Sequence, residues 1–316
     1  MLAIFRIGGV ALAEKRKIRI RKIDEQIISN SSIVTVTEME HIVEVQYMKK
    51  LNKSARIKKI DKEHYIDLST GEMRKFELSE VRSENANSLR QTFKKMRYLI
   101  NNNFVGNRNE LFVTLTYRGE LQTNDYKVVA KDFDRFMKRF KRKYGSVDYL
   151  RVLEPHASGN WHLHVLMRLN DMSEAYVSND DMAKIWKNGF TKVKSTRNID
   201  NVGAYLSAYL ADVSTDELRD NSVIPDYNDG IFEKEIEGEV KRFVKGGRLS
   251  FYPSGVNIYA SSKGIIAPER KEMPYAEAKK IVRHRTPHYK KSISIADESS
   301  EYQNTITYEQ YNLKRQ

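Results

Sequence analysis

Three of the chain's seven histidines fall within nine residues, from His156 to His164. His162 and His164 lie two apart in a segment with strand-like alternation, so both imidazoles are expected on one face of a strand. Glu154 precedes His162 by eight residues, across a turn predicted at residues 157–160. In an antiparallel hairpin of this length, Glu154 can lie opposite the histidine pair on the same face. Two neutral imidazoles and one carboxylate then form a three-ligand site for a divalent cation, with positions open for water or a phosphate oxygen.

The nitrogen content of this ligand set favours Mn²⁺, and Mg²⁺ is the alternative because it is abundant. A histidine pair on an exposed strand that binds no metal is the competing interpretation, since His-x-His alone is a weak signal. Glu154 across a short turn makes the metal site the stronger prediction.

Tyr205 and Tyr209 are four residues apart, so their phenols are neighbours on one face of a predicted helix that begins at Asp200. A phenol with a pKa near 10 is a poor nucleophile unless it is activated and its electrophile is polarised. A metal bound to a phosphodiester supplies that polarisation. The competing interpretation is a core role, because both tyrosines share their stripe with Val202 and Leu206.

The elements that would hold these residues follow an α+β order. The pattern predicts an amphipathic helix from Asn87 to about residue 103, a strand at 111–117, a helix ending at Gly145, a hairpin of 149–154 and 161–169, a helix from Ser178 to Gly189, a strand at 190–194 and the tyrosine helix. Such an order builds a central antiparallel sheet flanked by helices.

Three segments are predicted along the chain. Residues 1–85 read as a basic, partly β amino-terminal extension, residues 86–265 as the sheet domain with its preceding helix, and residues 266–316 as a polar, loosely patterned carboxy-terminal tail. No Gly-rich loop ending in Gly-Lys-Ser/Thr is present, so the sequence contains no sign of a nucleotide-hydrolysing motor.

Composition narrows the partners and the compartment. The net charge is +13 with a pI near 9.5, which favours a polyanionic partner. The chain has no cysteine, which excludes a disulfide scaffold, a cysteine zinc finger and a thiol nucleophile. No apolar run has the length of a membrane span, and the basic cluster Lys15–Lys17 follows the apolar start rather than preceding it. We therefore expect a cytoplasmic protein without a membrane partner.

Three ordered motifs resemble those of the HUH endonucleases, most closely the rolling-circle replication initiators (Rep proteins) of plasmids and phages. They are the strand of residues 112–117, Glu154 with His162-Leu163-His164, and Tyr205-Leu206-Ser207-Ala208-Tyr209. Residues 185–190 and 249–255 fit the same family text, so the resemblance covers roughly residues 65–265.

This resemblance implies an HUH nuclease fold of the ferredoxin/RRM-like type, with Glu154, His162 and His164 holding Mn²⁺ or Mg²⁺. It also implies origin nicking of single-stranded DNA, with Tyr205 or Tyr209 attached to the 5′-phosphate and a free 3′-hydroxyl left behind. Because no motor is evident, a host helicase and DNA polymerase would carry out unwinding and synthesis.

The sequence departs from the two-tyrosine members of that family in two places. Ala208 stands where a lysine usually precedes the second tyrosine, and Asp212 stands where a further lysine often follows. Other cations must then contact phosphate, and two groups are candidates. Near the predicted site these are Lys192, Lys194 and Arg248, and on the helix that ends at Gly145 they are Lys138, Arg139 and Arg142.

Other classes remain open at this point. Mobilisation relaxases place the tyrosine before the histidine motif and usually add a third histidine, and single-tyrosine transposases are much shorter. A non-catalytic single-stranded DNA-binding protein is a different class, and it would need Phe112, Tyr117 and Trp161 exposed for base stacking.

Overall fold

The computed structural model describes residues 18–24, 26–51, 57–61, 63–76, 86–197, 199–204, 206, 212–220, 231–236, 239–244, 247–253, 255–297 and 303–315. Its strands are β1 (Ile18–Ile23), β2 (Ile33–Met39), β3 (Ile42–Met48), β4 (Ile57–Lys59), β5 (His64–Asp67), β6 (Met73–Lys75), β7 (Glu110–Leu115), β8 (Val147–Pro155), β9 (Trp161–Leu169), β10 (Thr191–Ser195), β11 (Val213–Ser214), β12 (Ile231–Ile236), β13 (Glu239–Val244), β14 (Tyr259–Ser261), β15 (Arg270–Pro274), β16 (Tyr289–Asp297) and β17 (Gln303–Asn312). Its α-helices are α1 (Ala86–Asn103), α2 (Tyr126–Tyr144), α3 (Asn179–Trp186), α4 (Thr215–Asp220) and α5 (Tyr275–Ile281). The predicted α+β class, with antiparallel sheets and flanking helices, is confirmed.

The chain divides into two compact units. The first comprises Met1–Thr37, Val43–Ser54 and Arg270–Asn312, and the second comprises Glu38–Ile42, Ala55–Glu269 and Leu313–Gln316. The first unit is built around a six-stranded sheet of order β1-β16-β17-β3-β2-β15. Residues 266–316, which the sequence predicts as a loosely patterned tail, therefore supply three strands and a helix.

Buried polar rows explain why this tail lacks an apolar pattern. Ser292 on β16 and Thr307 on β17 are register partners, almost fully buried, and joined by a hydroxyl hydrogen bond of 2.9 Å. Glu309 is also buried and accepts hydrogen bonds from the hydroxyls of Tyr275 and Tyr311. Strands that bury partnered polar groups do not alternate in hydropathy, so local sequence does not reveal them.

The second unit contains a five-stranded antiparallel sheet of order β10-β7-β9-β8-β14. β9 is the central strand, and β8 and β9 form a hairpin that pairs Val147 with Leu169 and Pro155 with Trp161. The predicted order of strand, helix, hairpin, helix and strand is present in β7, α2, β8, β9, α3 and β10. Three-stranded sheets β11-β13-β12 and β4-β5-β6 lie in the same unit.

Helix α2 covers one face of this sheet. It begins after Asp125, whose carboxylate accepts from the Lys127 amide, and it ends at Gly145, whose φ of 84° needs no Cβ. Its buried stripe is the predicted one of Val129, Phe133, Phe136, Met137 and Phe140. The Phe133 ring lies 5.1 Å from the guanidinium of Arg151, which alternates on β8 with Val152 and Glu154. The face under α2 is therefore opposite the face that carries Glu154.

Helix α3 begins at Ser178, whose hydroxyl accepts from the Asp181 amide as the capping pattern predicts. Its last residue, Trp186, is fully buried and donates its indole N–H to the Thr116 carbonyl at 3.1 Å. This contact fixes the helix beside the end of β7. Of the part of the chain that the structure describes, no helix is long and apolar enough to cross a membrane.

The start of the predicted tyrosine helix is described only in part. Val202, Gly203, Ala204 and Leu206 are helical, and the Asn201 side chain accepts from the Ala204 amide at 2.9 Å. The Asn101 side chain of α1 accepts from the Gly203 amide at 3.0 Å, so this helix start is tied to α1. Tyr205, Tyr209 and the intervening Ala208 lie outside the described residues.

Candidate functional site

Glu154 and His162 are register partners, directly opposite each other on β8 and β9. His164 pairs with Val152 in the same register, two residues further along β9. Directly opposed residues share a face in an antiparallel pair, so all three side chains lie on the face opposite α2. The strand-parity argument made from the sequence therefore predicted the correct face for each of them.

The two imidazoles converge on one carboxylate oxygen. Oε2 of Glu154 contacts Nε2 of His164 and lies 4.0 Å from Nδ1 of His162. Glu154 and His164 are 7% and 5% exposed, whereas the side chain of His162 is 28% exposed. His162 is thus the member of the cluster most open to a substrate.

His164 is held from its other side by β7. The hydroxyl of Thr114, its register partner on β7, lies 3.2 Å from Nδ1 of His164. The Phe112 ring stacks on the imidazole with centroids 5.6 Å apart. These contacts from two strands leave the ring little rotational freedom.

Arg248 occupies the second oxygen of Glu154. Its Nε lies 3.0 Å from Oε1 of Glu154, and the residue is only 5% exposed. The same Nε donates to the Asp212 carbonyl at 3.1 Å, and Nη1 donates to the Pro155 carbonyl at 2.9 Å. Arg248, which the sequence suggested as a DNA contact, is therefore enclosed within the site.

Glu217 of α4 completes the arrangement. Its two oxygens accept from Nη1 and Nη2 of Arg248 at 2.9 and 2.8 Å, a bidentate pair. One of these oxygens also accepts from the Ala157 amide at 3.0 Å and lies 3.6 Å from Nε2 of His156. Glu217 thereby links the arginine to the turn between β8 and β9.

These contacts set the protonation states. Burial by itself would raise the pKa of Glu154, but His164 and Arg248 outweigh it and hold that pKa at about 2. Burial lowers the pKa of His162 to about 4, against the opposing effect of Glu154 and with a further lowering from His156 and Arg248. At neutral pH the site therefore offers an ionised carboxylate beside a neutral imidazole.

The ligand set fits a divalent cation in chemistry and direction. An ionised carboxylate and two imidazoles facing one point are ligands that Mn²⁺ and Mg²⁺ accept. Among the described residues, however, no group of three or more His, Cys, Asp or Glu has the spacing of a metal-binding cluster. The donor atoms of Glu154 and His164 touch each other instead of surrounding an ion, so binding requires that contact to open. The metal site stays a prediction.

The predicted nucleophiles cannot be placed, but both ends of their segment can. Leu206, next to Tyr205, is fully buried in the core of the second unit. Asp212, three residues after Tyr209, gives its carbonyl to Arg248, which also contacts Glu154.

The remaining DNA-binding candidates separate into two groups. Lys192 and Lys194 on β10 pair with Thr114 and Phe112, so they share the face of the Glu154 cluster. Lys138 and Arg142 are exposed on α2, which covers the other face. Arg139, also on α2, donates to the Ile185 and Trp186 carbonyls at the end of α3.

The aromatic residues required by a stacking platform are enclosed. Phe112, Tyr117 and Trp161 are 5%, 3% and 2% exposed, and all three belong to the core. Trp161 also donates its indole N–H to the Asn124 carbonyl. The surface that a non-catalytic single-strand binder would need from these rings is absent from them.

The family model for replication-associated proteins of the ORF2 type matches residues 110–214 of the chain, about a third of its length. This region runs from β7 to β11 and includes Glu154, His162, His164 and both tyrosines. No curated protein sequence matches the chain. Over this region the chain is similar to replication-associated proteins, which supports a Rep-like protein and is consistent with DNA replication.

Sequence reasoning missed two contributors to the site. Thr114 carries a signal, since its strand was predicted and its alternation points it to one defined face. Glu217 carries none, because nothing in the acidic stretch after residue 212 distinguishes one carboxylate from another.

Proposed function

We propose that the protein initiates rolling-circle replication of a plasmid or phage by nicking single-stranded DNA at an origin. One observation carries the proposal: Glu154, His162 and His164 converge on one face of β8 and β9, inside the region that is similar to replication-associated proteins. The buried carboxylate is ionised and the neighbouring imidazole is neutral, which are the states that a divalent cation needs in its ligands.

In the proposed reaction the phenolic oxygen of Tyr205 or Tyr209 forms a bond to the scissile phosphorus. The bond between phosphorus and the 3′-oxygen breaks, and the 3′-oxygen leaves as a hydroxyl after taking up a proton. The product is a 5′-phosphotyrosyl link with a free 3′-hydroxyl. Mn²⁺ or Mg²⁺, when bound, polarises the phosphate oxygens and so favours in-line attack.

The chain's own residues have separable tasks in this proposal. Glu154, His162 and His164 hold the cation, and Thr114 orients the imidazole of His164. Lys192 and Lys194 lie on the same face and neutralise phosphates of the bound strand. A host helicase then unwinds the duplex, and a host polymerase extends the 3′-hydroxyl in the cytoplasm.

The test is a nicking assay on the full chain. Labelled single-stranded oligonucleotides tiled across the replicon that encodes the protein are incubated with Mn²⁺, and products are resolved under denaturing conditions. We expect one oligonucleotide to give a 3′-hydroxyl fragment together with a protein–DNA adduct. Tyr205→Phe, Tyr209→Phe and the double variant identify the nucleophile, and Tyr126→Phe, which removes an exposed hydroxyl on α2, is the matched control.

Two outcomes contradict the proposal. Binding without any adduct would indicate a non-catalytic single-strand binder. An adduct that survives in the double tyrosine variant would exclude both predicted nucleophiles. A nick mapped to a transfer origin or a transposon end would instead assign the same chemistry to a relaxase or a transposase.

A further inference from the structure

Arg248 and Glu217 form a buried ion pair that the nicking chemistry does not by itself require. Their side chains are 6% and 10% exposed, and both guanidinium Nη atoms bond to both carboxylate oxygens. Burying two charges is unfavourable unless their hydrogen bonds are satisfied, and breaking one partner leaves an unpaired buried charge. A pair of this kind is specific in its geometry.

The remaining edge of the guanidinium contacts three parts of the proposed active site. Nε lies 3.0 Å from Oε1 of Glu154 and 3.1 Å from the Asp212 carbonyl. Nη1 reaches the carbonyl of Pro155, the residue after Glu154, at 2.9 Å. One planar group thus joins the carboxylate, its backbone and the chain that follows Tyr209.

Occupation of Oε1 has a direct consequence for the ligand set. Because Arg248 binds that oxygen, Oε2 is the oxygen left to face His162 and His164. A carboxylate free to rotate would present either oxygen, or both, to the imidazoles. Arg248 therefore selects the one-oxygen mode of Glu154.

Glu217 holds the arginine and the turn together. It accepts from the Ala157 amide at 3.0 Å while it binds both Nη atoms of Arg248. That amide belongs to the turn between Glu154 and His162. The position of Arg248 is consequently tied to the hairpin that sets the spacing of the ligands.

We infer that Arg248, clamped by Glu217, is a positioning residue for the nicking reaction. It orients Glu154 for the cation, and it anchors the end of the tyrosine segment to the same carboxylate. The inference rests on the proposed function, and it assigns roles to two residues outside the region similar to replication-associated proteins.

The first readout is the affinity of the metal-free full chain for Mn²⁺, measured by isothermal titration calorimetry without DNA. Arg248→Lys keeps the charge but loses the planar fork, and Glu217→Gln keeps the shape but loses the clamp's charge. Both are expected to raise the dissociation constant about 10- to 100-fold, the usual effect of removing a residue that orients a ligand.

Arg168→Lys is the matched control. Arg168 lies near the far end of β9 and donates to the Asn103 carbonyl and to Asp148, each at 3.0 Å. It therefore has the same kind of guanidinium contacts without touching the site. Its loss should leave the Mn²⁺ dissociation constant unchanged, and circular dichroism checks that all variants are folded.

The second readout is amide hydrogen exchange of the peptide spanning residues 206–214, without metal or DNA. Exchange should be faster in Arg248→Lys than in wild type and unchanged in Arg168→Lys, because only Arg248 binds the Asp212 carbonyl. A purely local salt bridge would alter neither this peptide nor Mn²⁺ binding.

The outcomes separate the two claims. If Arg248→Lys and Glu217→Gln are folded, bind Mn²⁺ like wild type and exchange like wild type, the positioning role is overturned while wild-type nicking stands. If the wild type neither binds Mn²⁺ nor forms an adduct, the proposed function fails and the positioning role falls with it.

Discussion

The hydroxyl of Thr114 lies 3.2 Å from Nδ1 of His164, on the side of the imidazole opposite Glu154. A histidine that gives the lone pair of Nε2 to a cation must carry its proton on Nδ1. In that state Nδ1 donates to the Thr114 oxygen, which fixes the tautomer and the ring. Thr114 is thus placed to support metal binding without being a ligand.

Thr114→Val should therefore weaken Mn²⁺ binding about tenfold, because the variant keeps the shape of the side chain but loses the acceptor for Nδ1. Thr114→Ser retains a hydroxyl and should stay within a few-fold of wild type. Calorimetric titration of the metal-free chain measures both. Equal affinities for wild type and Thr114→Val would show that the hydroxyl does not support the ligand.

The lowered pKa of His162 predicts acid sensitivity of the metal-free protein. Its pKa is about 4 in the folded chain against 6.5 for an ordinary histidine. Between these values the unfolded chain binds a proton that the folded chain does not, so stability falls as the pH drops from about 6.5 towards 4. The loss between pH 7 and pH 5 should be about 2 kcal/mol from this one group.

Urea denaturation in the presence of a chelator measures this loss. His162→Gln cannot be protonated, so its stability should fall by about 2 kcal/mol less than that of wild type over the same range. Because other titrating groups are common to both chains, the difference isolates His162. Parallel pH profiles for the two proteins would contradict the prediction.

Much of the second unit's sheet could be predicted because its signals are local. The stripe from Val129 to Phe140 marks α2, and Asp125 and Gly145 mark its ends. The face of Glu154, His162 and His164 follows from period-two alternation across a short turn. Each of these inferences needs only a few neighbouring residues.

The first unit could not be predicted in this way. β1 pairs with β16, which lies more than two hundred residues later, and local periodicity contains no information about such a pairing. Buried polar positions such as Ser292 and Thr307 also hide the strands of residues 289–312. The long-range partners of Arg248 were beyond reach for the same reason, because a basic residue in a glycine-flanked run reads as a surface cation.

Lys192 and Lys194 should contribute to single-strand binding more than the cations of α2. Both pair with residues on the Glu154 face, whereas α2 covers the opposite face. Replacing both with Gln should weaken binding and reduce the slope of log affinity against log salt by about 1.4, if each lysine neutralises one phosphate. Fluorescence anisotropy with a labelled oligonucleotide, in the Tyr205→Phe, Tyr209→Phe background with chelator, measures binding without cleavage.

The double replacement Lys138→Gln, Arg142→Gln tests the α2 part of the predicted interface under the same conditions. It removes the same amount of positive charge from an exposed surface, so general electrostatics are matched. A larger effect from this pair than from Lys192 and Lys194 would place the DNA on the α2 side and contradict the assignment of the strand to the Glu154 face.

Arg139 should act on stability before it acts on DNA. Its Nε and Nη2 donate to the Ile185 and Trp186 carbonyls at 2.7 and 3.0 Å, where α3 ends and its last carbonyls lack helical partners. Arg139→Ala leaves these carbonyls unsatisfied, which should lower the free energy of unfolding by about 2 kcal/mol. Lys138→Ala removes the exposed neighbouring charge and should change stability by at most about 0.5 kcal/mol. Urea denaturation compares the two. If Arg139→Ala were as stable as wild type yet bound the oligonucleotide more weakly, a direct phosphate contact would replace this structural role.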